Sequence, residues 1–265
     1  MNKYLLLAKI TLEEYFVYRL NFILWRFRNL VLFITLIFFW QAIYGHQNNL
    51  FGYSKEHMLT YVIGIVFLKS LVLGTRTGDL AGQLRSGEMT KIISRPINFF
   101  NYWFTRDLTD KVVNLFFSFL EAGAVVHLLK ITLSIPADIT SLIIFITLLL
   151  ISTFLFFFIS MLISISAFWT EDIWAVRWLF GVIFLEFFSG SMFPIDVLPA
   201  WLAKIIYFTP FPYLVYFPMK IWLSQETVIA PLSIVLISSF WLVIFYFLAT
   251  RLYRVGSKNY GAYGG

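Results

Sequence analysis

Residues 139–169 read ITSLIIFITLLLISTFLFFFISMLISISAFW, from Ile139 to Trp169, and carry no charge over 31 positions. A bilayer core needs about 20 apolar residues in a helix, so this stretch is long enough to span and to tilt, kink or protrude. The rest of the chain agrees. Of 265 residues, 60% are hydrophobic and 13% are charged, where a soluble domain carries about a quarter. The aromatic load of 31 Phe, 14 Tyr and 9 Trp suits rings placed at headgroup level. The chain therefore reads as an all-α integral membrane protein, one domain over 1–265 with six transmembrane helices.

Outward from this span, apolar runs place the others at about 22–44, 57–73, 108–129, 174–193 and 228–250. Before them, residues 1–20 set Leu5, Ala8, Leu12, Phe16 and Leu20 at helical spacing, interrupted by Lys9, Glu13 and Glu14. No small-residue cleavage site follows, so the reading is an amphipathic interfacial helix on the cytosolic surface rather than a signal peptide. Arg26 and Arg28 are expected to snorkel to the inner headgroups.

Residues 194–221 are apolar but hold Pro194, Pro199, Pro210, Pro212 and Pro218. Each proline removes a backbone donor, so a re-entrant helical pair fits better than a span. Charge parity agrees. With six spans and both termini cytosolic, fifteen basic residues from Lys3 to Lys258 lie inside, and only Lys55, Lys130, Lys204 and Lys220 lie outside. That asymmetry is the positive-inside pattern, and it accounts for the net charge of +6 without a nucleic-acid partner.

Between the second and third spans lies a polar segment, 76–97. Leu80, Leu84, Met89, Ile92 and Ile93 form one apolar face, and Asp79, Gln83, Arg85, Glu88 and Lys91 populate the other; Pro96 ends the pattern. Local spacing fits both a plain cytosolic loop and a short helix docked on a partner. Other chemistry is sparse. There is no cysteine, and His46, His57 and His127 are dispersed without metal-ligand spacing. No G-x-x-x-x-G-K-[ST] loop occurs, so nucleotide chemistry of that type must come from another chain. Three charges lie within spans, Lys69, Glu121 and Glu186. Such charges fix packing or mark a path. Glu186 is the stronger path or gate candidate, because its span leads into the re-entrant region.

The chain resembles the type-2 permease family of ATP-binding-cassette exporters over nearly its whole length. The resemblance rests on the amphipathic start, on Gln83-Leu84-Arg85-Ser86-Gly87-Glu88 followed by Arg95-Pro96, and on Ser189-Gly190-Ser191-Met192-Phe193-Pro194. Leu198-Pro199-Ala200-Trp201-Leu202 and Thr209-Pro210-Phe211-Pro212-Tyr213 extend it. The ending Asn259-Tyr260-Gly261-Ala262-Tyr263-Gly264-Gly265 looks like that of one bacterial branch.

The resemblance implies that 76–97 is the coupling loop, with Gln83, Leu84, Arg85, Gly87, Glu88 and Met89 contacting the ATPase. It implies two ATPase subunits per complex, ATP and Mg bound there, and a second permease chain, identical or sister, among membrane lipids. It also places the chain in the bacterial cytoplasmic membrane as an exporter, not an enzyme. In such permeases the first, second and fifth spans face the partner and the route. Glu186, Phe187, Phe188, Trp40 and Phe39 are the path or gate candidates. The cargo is expected to be amphiphilic, lipid-like or drug-like. The alternatives are an ion channel or secondary transporter, and a membrane-embedded lipid-modifying enzyme.

Overall fold

The computed structural model describes residues 3–89, 96–170 and 174–259. Helix α1 (Lys3–Val17) runs into the longer α2 (Arg19–Tyr44), which stops where Gly45 takes φ 49° and its amide bonds to Gln41. A two-residue hairpin follows, β1 (Asn49–Leu50) against β2 (Tyr53–Ser54), pairing Asn49 with Ser54 and Leu50 with Tyr53. Both turn residues, Phe51 and Gly52, have positive φ, the combination that matches the twist of paired strands.

The next helices begin on polar caps. Ser54 accepts from the His57 amide at the start of α3 (Lys55–Leu68). Asn98 does the same for α5 (Phe99–Leu129) and Asp138 for α6 (Ile139–Ile165). Each cap satisfies one of the orphan amides of a first turn. Helix α3 continues through a wider π-helical turn, Lys69–Leu73, before the short α4 (Gly78–Arg85). Helix α6 tightens into a 3-10 turn at Ser166–Phe168. Helix α7 (Trp174–Leu179) passes into a second π-helical segment, Phe180–Phe187. Two short helices, α8 (Ala200–Tyr207) and α9 (Tyr216–Trp222), precede α10 (Pro231–Asn259).

Five helices among the described residues are long and apolar enough to cross a membrane: Arg19–Tyr44, Lys55–Leu84, Phe99–Leu129, Ile139–Phe168 and Pro231–Lys258. Large apolar side chains such as Leu24, Val112, Leu150 and Leu236 stand exposed on their outer faces. That exposure suits a hydrocarbon solvent, and the chain is a multi-pass membrane protein. The bundle has two distinct ends. One gathers α1, α4 and the start of α5, with Phe99 stacked on Tyr253 at 3.9 Å. The other gathers the hairpin, residues 130–138 and the stretch from Pro194 to Ser224, tied by Trp222 donating to Ser134 and the Ala137 amide to Ser224.

Several boundaries differ from expectation. The third helix was expected from 108 and starts at Phe99, because its early charges are all paired: Lys111 with Asp107 in the helix, Arg106 with Glu14 and Asp110 with Arg76 outside it. The span expected over 174–193 is helical only over Trp174–Phe187 among the described residues. It ends because Ser189 and Ser191 bond back to the Leu185 carbonyl while Gly190 takes φ 79°. The last helix runs from Pro231, a good first helical residue, to Asn259, not 228–250. In 76–97 the helix stops at Arg85, followed by Gly87 at φ 75°. Ile92, Ile93, Lys91 and Arg95 lie outside the described residues, as does the tail from Tyr260.

Candidate functional site

Charges inside an apolar bundle must be paired to be tolerated. The structure pairs all three in-span charges named from sequence. Arg26 is buried and makes a bidentate contact with Glu121, Nε to Oε1 at 2.8 Å and Nη2 to Oε2 at 2.5 Å. The same guanidinium reaches Ser118, whose hydroxyl lies 2.5 Å from that of Ser70. The snorkelling expected of Arg26 is therefore corrected: the carboxylate of Glu121 sits one helix away and holds the arginine inward.

Lys69 and Glu186 form the other pair, Nζ to Oε2 at 2.6 Å. Each sits in one of the two π-helical segments, a geometry frequent at functional positions. Ser191 adds its hydroxyl 3.1 Å from the same carboxylate oxygen. Lys69 as the partner of Glu186 was not read from sequence. The available signal was two opposite charges in separate spans, but sequence spacing carries no information on which helices touch.

At the α1 end, Glu14 accepts both Nη2 bonds from Arg106, at 2.8 Å each, and pairs with Arg76. Arg76 also bonds Asp110 at 2.8 Å through Nε, and its amide bonds Asp107 at 2.9 Å. Tyr15 donates to Asp110; burial and that carboxylate push its phenol well above the usual range. Lys111 is fully buried beside Asp107 at 3.2 Å and donates to the carbonyls of Val72 and Gly74. It thus caps the end of the α3 π-turn, whose carbonyls lack intrahelical donors. Helix α1, the 72–76 turn and α5 are one fastened unit.

Helix α4 hangs from this unit. Leu80, Ala81 and Leu84 are buried, as is Met89, against Leu7, Trp103 and Phe157. Leu84 and Met89, expected at the partner contact, instead seat the helix in the chain's own core. The apolar face is satisfied internally, which leaves Gly82, Ser86 and Glu88 exposed and Gln83 and Gly87 half-buried. The Gln83 side-chain oxygen meets no donor among the described residues. The side chain of Arg85 lies outside what is described. Arg177 in the last turn of α7 donates to the Gly78 carbonyl at 2.8 Å. So α4 follows α3 after a break at 74–77 and is bonded to α7, and the π-helical segments that extend α3 and α7 carry Lys69 and Glu186.

The opposite end has its own lock. Asp196 accepts from Tyr53 and Tyr216, both at 2.6 Å, and pairs with Lys220 at 3.1 Å. Burial and the Asp196 charge raise the Tyr53 phenol well above its ordinary value, so it stays a donor. Tyr61 on α3 donates to the Gly190 carbonyl at 2.7 Å. Tyr53 and Tyr216 do not stand out in the sequence, because isolated tyrosines in an aromatic-rich chain look alike. Of the path candidates, Trp40 is 3% exposed and packs in the core, whereas Phe39 is exposed on the outer face. Trp40 therefore lines no surface of this chain: α2 turns it inward. Phe187 and Phe188 are half-buried next to Glu186.

The profile of the ABC-2 family transporter proteins matches residues 30–264. The chain belongs to this family. It is the membrane permease of an ABC transporter, a transport subunit whose family implies association with an ABC ATPase. None of the curated proteins matches the sequence.

Proposed function

We propose that the chain is the transmembrane half of an ATP-driven exporter, moving an amphiphilic, lipid-like or drug-like cargo out of the cytoplasm or inner leaflet. In this reading α7 belongs to a sixth span, both termini are cytosolic, and α8 and α9 form an extracytoplasmic re-entrant pair. The membrane is the cytoplasmic one. Lys55, Lys130, Lys204 and Lys220 lie at or near the hairpin end, away from α1 and α4, which supports that orientation. Two ATPase subunits bind ATP and Mg, and a second permease, identical or sister, completes the route. This chain has no phosphate-cradling loop of its own.

The observation that carries the reading is α4. Its apolar side is consumed by the chain's own core, while Gly82 on the helix and Ser86 and Glu88 in the turn after it are exposed, and the helix is bonded to α7. A rigid polar knob of this kind suits a groove on a soluble ATPase. Arg85 joins the contact by its place at the end of α4.

Co-purification tests it. Glu88→Ala and Arg85→Ala should leave membrane insertion intact and lower the hydrolysis rate of the co-purified ATPase. Removing one partner of a docked charge contact typically costs about 2–5 kcal/mol. Unchanged assembly and hydrolysis in both variants would return α4 to a passive loop.

A further inference from the structure

The two intramembrane ion pairs differ in one respect. The side chains of Arg26 and Glu121 are 10% and 17% exposed, whereas those of Lys69 and Glu186 are 39% and 46% exposed. The first pair is wrapped by Ser118 and Asn114 and is a packing device. The second is open along one side. Lys69 lies about 21 Å along α3 from Lys55, and Glu186 about 18 Å along α7 from Trp174, at ~1.5 Å per residue. In the six-span reading proposed above, both charges lie within the membrane-spanning part of the chain, and a hydrocarbon core is about 30 Å thick. Lipid tails cannot cover them, since intramembrane charges face protein, water or ligand.

We propose that Lys69, Glu186 and Ser191 form a headgroup site for a zwitterionic amphiphile, whose cation takes Glu186 and whose anion takes Lys69. Charge bookkeeping in a poorly solvated site selects this class. A singly charged ligand that takes one member of the pair leaves the other without its counter-ion, and a charge without a partner inside a span is unfavourable. A zwitterion exchanges one ion pair for two and leaves no net charge behind. The Ser191 hydroxyl beside Glu186 leaves a polar atom next to the carboxylate that a cationic headgroup can also reach. The π-helical segments put both charges on short stretches of altered helical geometry, and both helices connect to α4. Movement of α4 would part or close the pair. The proposal rests on the exporter reading for its direction of transport, not for binding.

The test is equilibrium binding of three amphiphiles of one chain length to the full chain in neutral maltoside micelles: an alkylphosphocholine, an alkyl phosphate and an alkyltrimethylammonium. The alkylphosphocholine should bind tighter than either ion by about tenfold or more, the equivalent of ~1.4 kcal/mol. Glu186→Gln should move the preference to the alkyl phosphate, and Lys69→Gln to the alkyltrimethylammonium. The charge-swapped Lys69→Glu/Glu186→Lys protein should keep the zwitterion preference, and it guards against loss of folding in the single variants. Equal affinities for all three probes, or a preference that no variant moves, overturns the site. Failure of any ATPase to co-purify sinks the exporter reading instead, and leaves the binding result standing.

Discussion

Arg26 shows how much one side chain contributes inside this bundle. It stands buried between α2 and α5, with both carboxylate oxygens of Glu121 satisfied. Arg26→Leu strands Glu121 and should destabilise the protein by about 3–5 kcal/mol, read as a lower midpoint in a detergent thermal-unfolding assay. Arg26→Leu/Glu121→Leu should recover most of that loss, because no unpaired charge remains. Gly190 is a second sensitive position. It sits at φ 79°, and a Cβ there would lie 2.8 Å from the Tyr61 hydroxyl and 2.9 Å from Tyr216 Cβ. Gly190→Ala combines a left-handed backbone with overpacking, costs of about 1–2 and 1–3 kcal/mol. It should lower thermal stability and loosen the Tyr61 contact, seen as faster exchange or proteolysis in 189–216.

Helix α1 is apolar on much of its surface, and one carboxylate makes its strongest polar attachment, beside the Tyr15–Asp110 bond and the packing of Leu7. Glu14 receives Arg106 and Arg76 from two other elements. Glu14→Gln keeps the size and removes the charge. Charged hydrogen bonds are worth roughly 1.5–3 kcal/mol, so the variant should undock α1 more readily, measured as protease sensitivity near Val17. Because Arg76 leads into α4, ATP hydrolysis by an associated ATPase should also respond less to cargo. A variant with firm α1 docking and normal cargo response would show that the clamp is dispensable. The paired roles of α3 and α7 follow the same logic. Their chain segments carry the exposed ion pair, and each is joined to α4, by the chain itself on one side and by the Arg177 bond to the Gly78 carbonyl on the other.

Across the bundle, polar ends bracket an apolar middle, and the two ends are not equivalent. The hairpin end is closed by Asp196 with its tyrosines and Lys220; the α1 end is held by a mostly buried charge network joining Glu14, Arg76, Arg106 and Asp110. A reporter fused after Gly265 should report a cytosolic C-terminus, and one inserted at Gln47 should report the opposite face. A C-terminus on the extracytoplasmic side would reverse the orientation and remove α4 from reach of an ATPase. Mass measurement of the purified complex should give two permease chains with two ATPase subunits.

The helical membrane character was legible in the residues, since a charge-free run such as 139–169 leaves the backbone no solution in lipid but a helix that satisfies its own bonds. The prolines of 194–221 likewise announced broken helices, whereas the end of α4 at Arg85 was not legible, since Pro96 reads as the stop of that pattern. Lys69, Glu121 and Glu186 were visible as charges out of place. What the order of residues could not carry was which charge meets which. Arg26 finds Glu121 and Lys69 finds Glu186 across helices far apart in sequence, and periodicity describes a face without naming its neighbour. The same limit moved Leu84, Met89 and Trp40 from contact candidates to core. An apolar face on a short helix looks alike whether it waits for a partner or is already covered, and only packing in three dimensions separates the two.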